Sequence, residues 1–301
     1  MMENRALVFL KPKAATPAFT NYVTHVLRDR GVRLTGPLEV SMEQMRDGAL
    51  VDAHYFSISR AALTADPASL PVSEVALASF AETFGESWES AAAKGRLLSA
   101  VQMMEKTGIG DGAAFLQRWL GAPQKRLAPG LYVAKFKQPE ALVLNGFYPA
   151  LRQRYLTTGA KVICFDVAFD ADKLSWERFR RDVIGDTRPE EANPGTLRRC
   201  LLERYADLGC TPPNVNQNGV HASAGPIEAL RERWIWLGEA PAQTPLGQAL
   251  LRNGLSANGL DHWLENTVVN LAGTTGPVFD ITEDMDAPEV LRALRPKAAV
   301  V

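Results

Sequence analysis

Ala6-Leu7-Val8-Phe9-Leu10-Lys11-Pro12 is the stretch whose reading decides the fold. Five consecutive apolar residues have the length of a short buried strand. Lys11-Pro12 closes the run, because proline has no N–H to give to a ladder. Working outward, Thr16-Pro17 supplies an N-cap and a first-turn proline. Phe19, Tyr22, Val23 and Val26 then repeat at i, i+3, i+4 and i+7, and Gly31 stands where a left-handed C-terminal cap belongs. Val32 to Val40 reads as a second strand bent at Gly36-Pro37, followed by a short helix from about Ser41 to Ala53.

The same order returns from Asn145. Phe147 to Thr157 suits a helix, and Lys161 to Phe169 a central strand. Asp172 is expected to cap a helix carrying Leu174, Trp176, Phe179 and Val183. Gly185 to Gly195 is too rich in Gly, Pro and Asn for a regular element. After Thr196-Leu197-Arg198-Arg199 and a second loop, Asn218-Gly219-Val220-His221-Ala222-Ser223 reads as a short strand. It leads to a helix with Pro226 in its first turn and Ile227, Leu230 and Trp234 inward. Two β-α-β halves predict an α+β, ferredoxin-like (βαββαβ) antiparallel sheet with its helices on one face. The predicted core is 1–55 with 145–237, interrupted by a mostly helical insertion, 56–144, and followed by an extension, 238–301.

Within the insertion, Leu77, Phe80, Ala81, Phe84 and Trp88 form one helical stripe, and Leu97, Val101 and Met104 the next. Gly108-Ile109-Gly110-Asp111-Gly112 lacks a preceding strand and reads as a turn between helices rather than a phosphate loop. Tyr132, Ala134 and Phe136 alternate as in a short strand. Lys125, Arg126, Lys135 and Lys137 read as a solvated face, with phosphate or base contact as the alternative. In the extension, Leu260, Trp263, Leu264, Thr267, Val268 and Leu271 predict one amphipathic helix that carries His262. Glu283-Asp284-Met285-Asp286 leads to a terminal helix ending by Arg295-Pro296.

The 301 residues carry 33 Lys+Arg and 34 Asp+Glu, a formal charge of −1, which argues against a duplex nucleic-acid binder. Apolar runs are strand-length, far below the roughly 20 residues that cross a bilayer, and the N-terminus lacks a signal-peptide layout. Cys164, Cys200 and Cys210 fit no zinc or redox spacing, so free thiols in a reducing cytoplasm are expected. The four histidines form no metal-binding pattern. An isolated His221 on such a strand would more often be a buried structural histidine.

Several blocks in order carry a resemblance to the nucleoside diphosphate kinase family. They are Ala6 to Pro12, His54-Tyr55, Gly146-Phe147-Tyr148, Gly185-Asp186-Thr187-Arg188-Pro189, Asn193 to Arg198, and Asn218 to Ser223. The resemblance implies a phosphotransferase that passes the terminal phosphate of ATP or another NTP to an NDP through phosphohistidine. It implies His221 as nucleophile, Glu232 orienting its ring, Ser223 just beyond, and Tyr55 beside the transferred phosphate. It also implies Lys11, Arg181, Arg198 and Thr187 around the phosphates, Phe147 and Val215 on the two faces of the base, and Asn218 on the ribose. Taken singly, each cation reads equally as a surface charge, and Phe147 as core. The family also implies Mg²⁺ held through nucleotide phosphates, and a homo-oligomer, with neither nucleic acid nor membrane as partner. Ala222 and Ala224 depart from the family's usual glycine and aspartate, and the family has only a handful of residues in place of 56–144. The same chemistry specialised for one modified or pathway-specific nucleotide, or a catalytically silent nucleotide-binding module, are the rival expectations.

Overall fold

The structure, a computed structural model, describes residues 2–294. Arg295-Pro296, the expected end of the terminal helix, lie outside the described residues. The chain forms two compact units, Met1–Ser41 with Ala160–Val301, and Met42–Gly159.

The first unit begins with β1 (Asn4–Leu10), in which Ala6 to Leu10 are all 0% exposed. In α1 (Pro17–Asp29), the Thr16 hydroxyl accepts the Phe19 N–H at 3.1 Å, as the cap signature requires, and Phe19, Val23 and Leu27 are buried. In β2 (Arg33–Ser41) the register shifts between Thr35 and Leu38, where the bend was expected.

The second unit runs through α2 (Met42–Asp47), α3 (Leu50–His54), α4 (Phe56–Leu63), α5 (Glu74–Phe84) and α6 (Trp88–Ala93). It continues with β3 (Leu97–Ser99), α7 (Ala100–Thr107), α8 (Gly112–Leu120), β4 (Gln124–Ala128), β5 (Leu131–Lys137), β6 (Glu140–Leu144) and α9 (Tyr148–Leu156). The helix expected over 41–53 is two, broken where Ala49 takes φ 49°. The larger difference is a four-stranded sheet of order β3-β6-β5-β4, parallel only between β3 and β6. The segment has the expected helices and, beyond the strand expected at Tyr132 to Phe136, three further strands. Ala141 to Leu144 form a short, fully buried strand that apolar periodicity cannot tell from a helix turn. Leu97 belongs to a strand because the capping box of Ser99 and Gln102 starts the helix only after it. Residues 42–55 and 145–159 also cluster with this unit rather than with the first. Gly108 to Asp111 form the expected turn, and Asp111 caps α8.

The chain returns to the first unit through β7 (Lys161–Phe169), α10 (Trp176–Arg178), a π-helical turn (Phe179–Ile184), α11 (Leu197–Arg204), β8 (Val220–Ala222) and α12 (Pro226–Leu237). Ser175, not Asp172, caps α10, since its hydroxyl is the one that accepts the Arg178 N–H. Strand order β2-β7-β1-β8 with every pair antiparallel is the ferredoxin-like arrangement. Val8 and Leu10 pack in the core with Phe19 and Val23 of α1. Phe9 alternates to the other face and meets Trp236 of α12, so helices cover both faces of β1 rather than one. In α12 the expected inward Trp234 is 49% exposed, while Glu232, Arg233 and Trp236 are buried.

The extension adds α13 (Pro245–Arg252), α14 (Ala257–Leu264), a hairpin of β9 (Val268–Leu271) and β10 (Thr274–Pro277), α15 (Val278–Ile281) and α16 (Ala287–Leu294). The helix expected over 260–271 thus stops at Leu264. Asn266 takes a left-handed φ of 54°, and the β-branched pair Val268-Val269 enters the hairpin instead. His262 is exposed. Leu246, Leu250, Leu260, Trp263 and Val290 pack with Ile227 and Leu230 of α12 in a second core, which makes the extension part of this unit. Among the described residues, no helix is long and apolar enough to cross a membrane.

Candidate active site

Antiparallel pairing of β1 with β8 sets Phe9 opposite His221 and brings Lys11 to the start of β8, where its N–H donates to the Gly219 carbonyl at 2.9 Å. Gly219 has φ +80°, and a Cβ there would collide with the Leu201 side chain, so this turn requires glycine. The turn lets Lys11 Nζ donate to Asn218 Oδ1 at 2.8 Å, while Asn218 Nδ2 donates to the Thr187 carbonyl at 3.1 Å.

The His221 ring stacks on Phe9 with centroids 4.6 Å apart, and its Nε2 lies 2.7 Å from Glu232 Oε1. The other oxygen of Glu232 accepts the Ser223 hydroxyl at 2.6 Å, and that hydroxyl oxygen accepts the Leu7 N–H at 3.0 Å. Ser223 and Glu232 are both buried. Burial first, then the nearby charges of Lys11, Arg198 and Arg180, hold His221 well below the ordinary histidine range. It is therefore neutral at pH 7. A carboxylate beside Nε2 favours the tautomer with its proton there, which places the lone pair on Nδ1.

Arg198 is fixed on three sides. Its Nε and Nη2 donate to the Val220 carbonyl at 3.2 and 2.9 Å, and Nη1 to the Gly185 carbonyl at 2.8 Å. Burial, with Arg180 adding repulsion, lowers its pKa to about 10, so it keeps its charge at pH 7.

Arg181, Thr187, Val215, Tyr55 and Phe147 were also expected at the site. Arg181 is exposed and paired with Glu177 and Asp182. Its neighbour Arg180 is the cation whose charge reaches His221. The physical reason is the π-helical turn, whose wider spacing changes which of two adjacent arginines faces inward. Thr187 has an exposed side chain, and Val215, 43% exposed, lies in the turn closed by the Asn214–Gln217 bridge. Tyr55 and Phe147 belong to the second unit. There Tyr55 Oη is 3.0 Å from Tyr155 Oη, and Phe147 packs edge-on against Tyr132 and Trp119 as a half-buried part of that unit's core.

Sequence reasoning missed Glu228 as well as Arg180. Glu228 Oε2 accepts the Ala224 N–H at 2.7 Å, one helical turn before Glu232. Burial, with Glu232 adding repulsion, pushes its pKa up to about 8, against the opposing pull of the Ala224 N–H and Arg180. Its i, i+4 spacing from Glu232 was the available signal. A carboxyl with a raised pKa holds a proton in the folded state that the unfolded chain has released. Its contribution to stability is complete below about pH 4.5 and is lost as pH rises to about 8. Melting curves across that window are expected to fall less steeply for Glu228→Gln than for the wild type; identical slopes would contradict the raised pKa.

Around His221 the convergent groups are cationic, and the two α12 carboxylates are already engaged by His221, Ser223 and Ala224. The cations suit an anion such as phosphate, and Mg²⁺ as an ion carried on phosphate oxygens.

No family model matches the chain. It is similar to a nucleoside diphosphate kinase of Symbiobacterium thermophilum, 28% identical over 151 residues that span 48% of this chain and 79% of that protein. Partial coverage of this kind fits that family with added regions. Two solved structures are also similar. One is the apo nucleoside diphosphate kinase of Encephalitozoon cuniculi, 14% identical with TM-score 0.37, covering 80% of this chain and 92% of that one. The other is an NDP kinase of Pyrobaculum aerophilum, 18% identical with TM-score 0.35, covering 78% and 96%.

Proposed function

We propose that this chain is a phosphotransferase that moves the terminal phosphate of an NTP to an NDP through phospho-His221. The observation that carries the proposal is a half-buried, neutral histidine whose Nε2 lies against Glu232, beside the cations Lys11 and Arg198. In the first half-reaction the Nδ1 lone pair attacks the γ-phosphorus, and the bond from that phosphorus to the bridging oxygen breaks. The NDP leaves with the electron pair, and the imidazole becomes N-phosphorylated. In the second half-reaction a terminal oxygen of the acceptor diphosphate attacks the phosphorus and the N–P bond breaks back onto the ring.

Little acid or base chemistry is needed, so the protein's work is placement and charge neutralisation. Lys11 and Arg198 neutralise the phosphates, Glu232 stabilises the charge that develops on the imidazole, and Ser223 holds Glu232. Mg²⁺ bound through the nucleotide adds further neutralisation on the phosphates. On this reading residues 1–55 and 145–237 are the kinase-like core, residues 56–144 its insertion and residues 238–301 its extension. A cytoplasmic setting and a homo-oligomer accompany it, the latter tested by light scattering after size exclusion.

γ-Labelled ATP is expected to leave acid-labile label on the protein, discharged when an NDP is added. An unlabelled wild-type chain would refute the proposal, and a panel of diphosphate acceptors would separate a general enzyme from a specialised one. Glu232→Ala is expected to slow labelling by about 10²-fold, since the ring loses its orienting partner. Nucleotide affinity should stay within about twofold, because Glu232 is assigned no contact with substrate. Equal loss of both, measured by calorimetry, would remove that role.

A further inference from the structure

Arg180 stands at the end of a chain of contacts that starts at the candidate nucleophile. Ser223 lies two residues beyond His221, and its carbonyl accepts the Trp176 indole N–H at 3.1 Å. The next residue, Ala224, gives its N–H to Glu228, and its carbonyl accepts the Asp284 N–H at 2.9 Å. Asp284 Oδ1 in turn takes Arg180 Nη1 at 2.7 Å, and Glu283 Oε1 takes the same nitrogen at 2.8 Å. Asp286 ties the segment down further, accepting the Trp176 N–H at 2.7 Å and the Asn4 side-chain amide at 2.6 Å. A short acidic stretch of the C-terminal extension is thereby tied to Ala224, Arg180, Trp176 and Asn4.

Two features separate this arrangement from an ordinary surface ion pair. Both acids hold one nitrogen, Nη1, and the Nε–Nη2 edge of the guanidinium has no partner among the described residues. A planar fork anchored on one side and open on the other is the form in which arginine binds phosphate oxygens. Arg180 is also placed where its charge acts on Arg198 and His221, which Lys11 approaches as well. Glu283 and Asp284 are half-exposed, so water and salt screen their repulsion of an incoming phosphate.

We propose that Arg180 is a third phosphate-binding cation of this site, and that Glu283 and Asp284 of the C-terminal extension are the positioning residues that aim it. The inference rests on the phosphotransferase reading, but it concerns residues to which the resemblance gave no role. It also gives the extension a part in the site: the chain beyond α12 returns to set the angle of a substrate-binding guanidinium.

The test compares Arg180→Ala, Arg180→Lys, the pair Glu283→Gln with Asp284→Asn, and the triple variant that joins this pair to Arg180→Ala. One readout is the rate of acid-labile labelling. The other is calorimetric affinity for a non-hydrolysable ATP analogue against AMP. Arg180→Ala is expected to slow labelling by about 10²-fold. It should weaken the triphosphate analogue by at least about tenfold, with AMP unchanged. Arg180→Lys should restore only part of both, since it keeps the charge and loses the fork. The acid pair should slow labelling when Arg180 is present and add nothing to Arg180→Ala, because its effect passes through the guanidinium. An acid-pair effect of equal size with and without Arg180 would reduce the segment to a structural strap and overturn the positioning role. Wild-type labelling and triphosphate affinity in Arg180→Ala would overturn the binding role while leaving the phosphotransferase reading intact. If the wild type takes no label, the phosphotransferase reading falls, and unchanged triphosphate affinity in Arg180→Ala then overturns this proposal separately.

Discussion

His221→Ala is expected to leave the protein without acid-labile label and to lower any NTP-to-NDP exchange by roughly 10⁴-fold to 10⁶-fold, the scale seen when a covalent nucleophile is removed. The effect should be this large because every other group at the site acts by placement. In the proposed mechanism Lys11 and Arg198 attract phosphate, Glu232 and Ser223 set the ring, and none of these four is assigned a nucleophilic role. Triphosphate affinity should change far less, since the cations remain. The substitution also vacates the space of a ring that stacks on buried Phe9, so a melting curve must accompany the assay. A folded His221→Ala chain that labels like the wild type would place the nucleophile elsewhere.

The largest expected loss of stability belongs to Arg233→Gln. Arg233 is 2% exposed, and its Nε and Nη2 donate to the two oxygens of Asp166 on β7 at 2.9 and 3.3 Å. Its guanidinium also pairs with Glu239, and the half-exposed Arg5 reaches the same two acids. Removing one partner of a buried charge network costs about 3–5 kcal/mol, because the remaining charges stay desolvated. Arg5 keeps part of the compensation here, so the lower end, about 3 kcal/mol, is expected, with a melting temperature lower by about 6–12 °C. Trp234→Gln, one residue along the same helix and 49% exposed, should change stability by less than about 0.5 kcal/mol. Equal losses for the two variants would contradict the packing of α12.

That pair of neighbours marks a limit of sequence reading. Apolar spacing put Trp234 inward and gave no reason to bury Arg233. An arginine can be buried only where acids meet it, and those acids arrive from β7 and from Glu239 beyond the helix. Arg180 and Arg181 repeat the lesson. Alignment of residue types favours Arg181, yet Arg181 is exposed and paired with Glu177 and Asp182, while Arg180 is held by two acids of the extension.

What the sequence determined by itself is local in its physics. The fully apolar run Ala6 to Leu10, the Thr16-Pro17 cap, the bend at Gly36-Pro37 and the strand Lys161 to Phe169 are each specified by neighbours a few residues away. They were enough to set the ferredoxin-like order. Lys11, Asn218, His221, Ser223 and Glu232 were legible for a related reason, since strand pairing and one helix turn bring them together. Only the tertiary structure decided the second sheet, the hairpin after α14, the raised carboxyl of Glu228 and the inward arginines. Each depends on partners distant in sequence, and the free energy of a buried charge or a short apolar strand is set by what it meets after folding, which residue spacing does not encode.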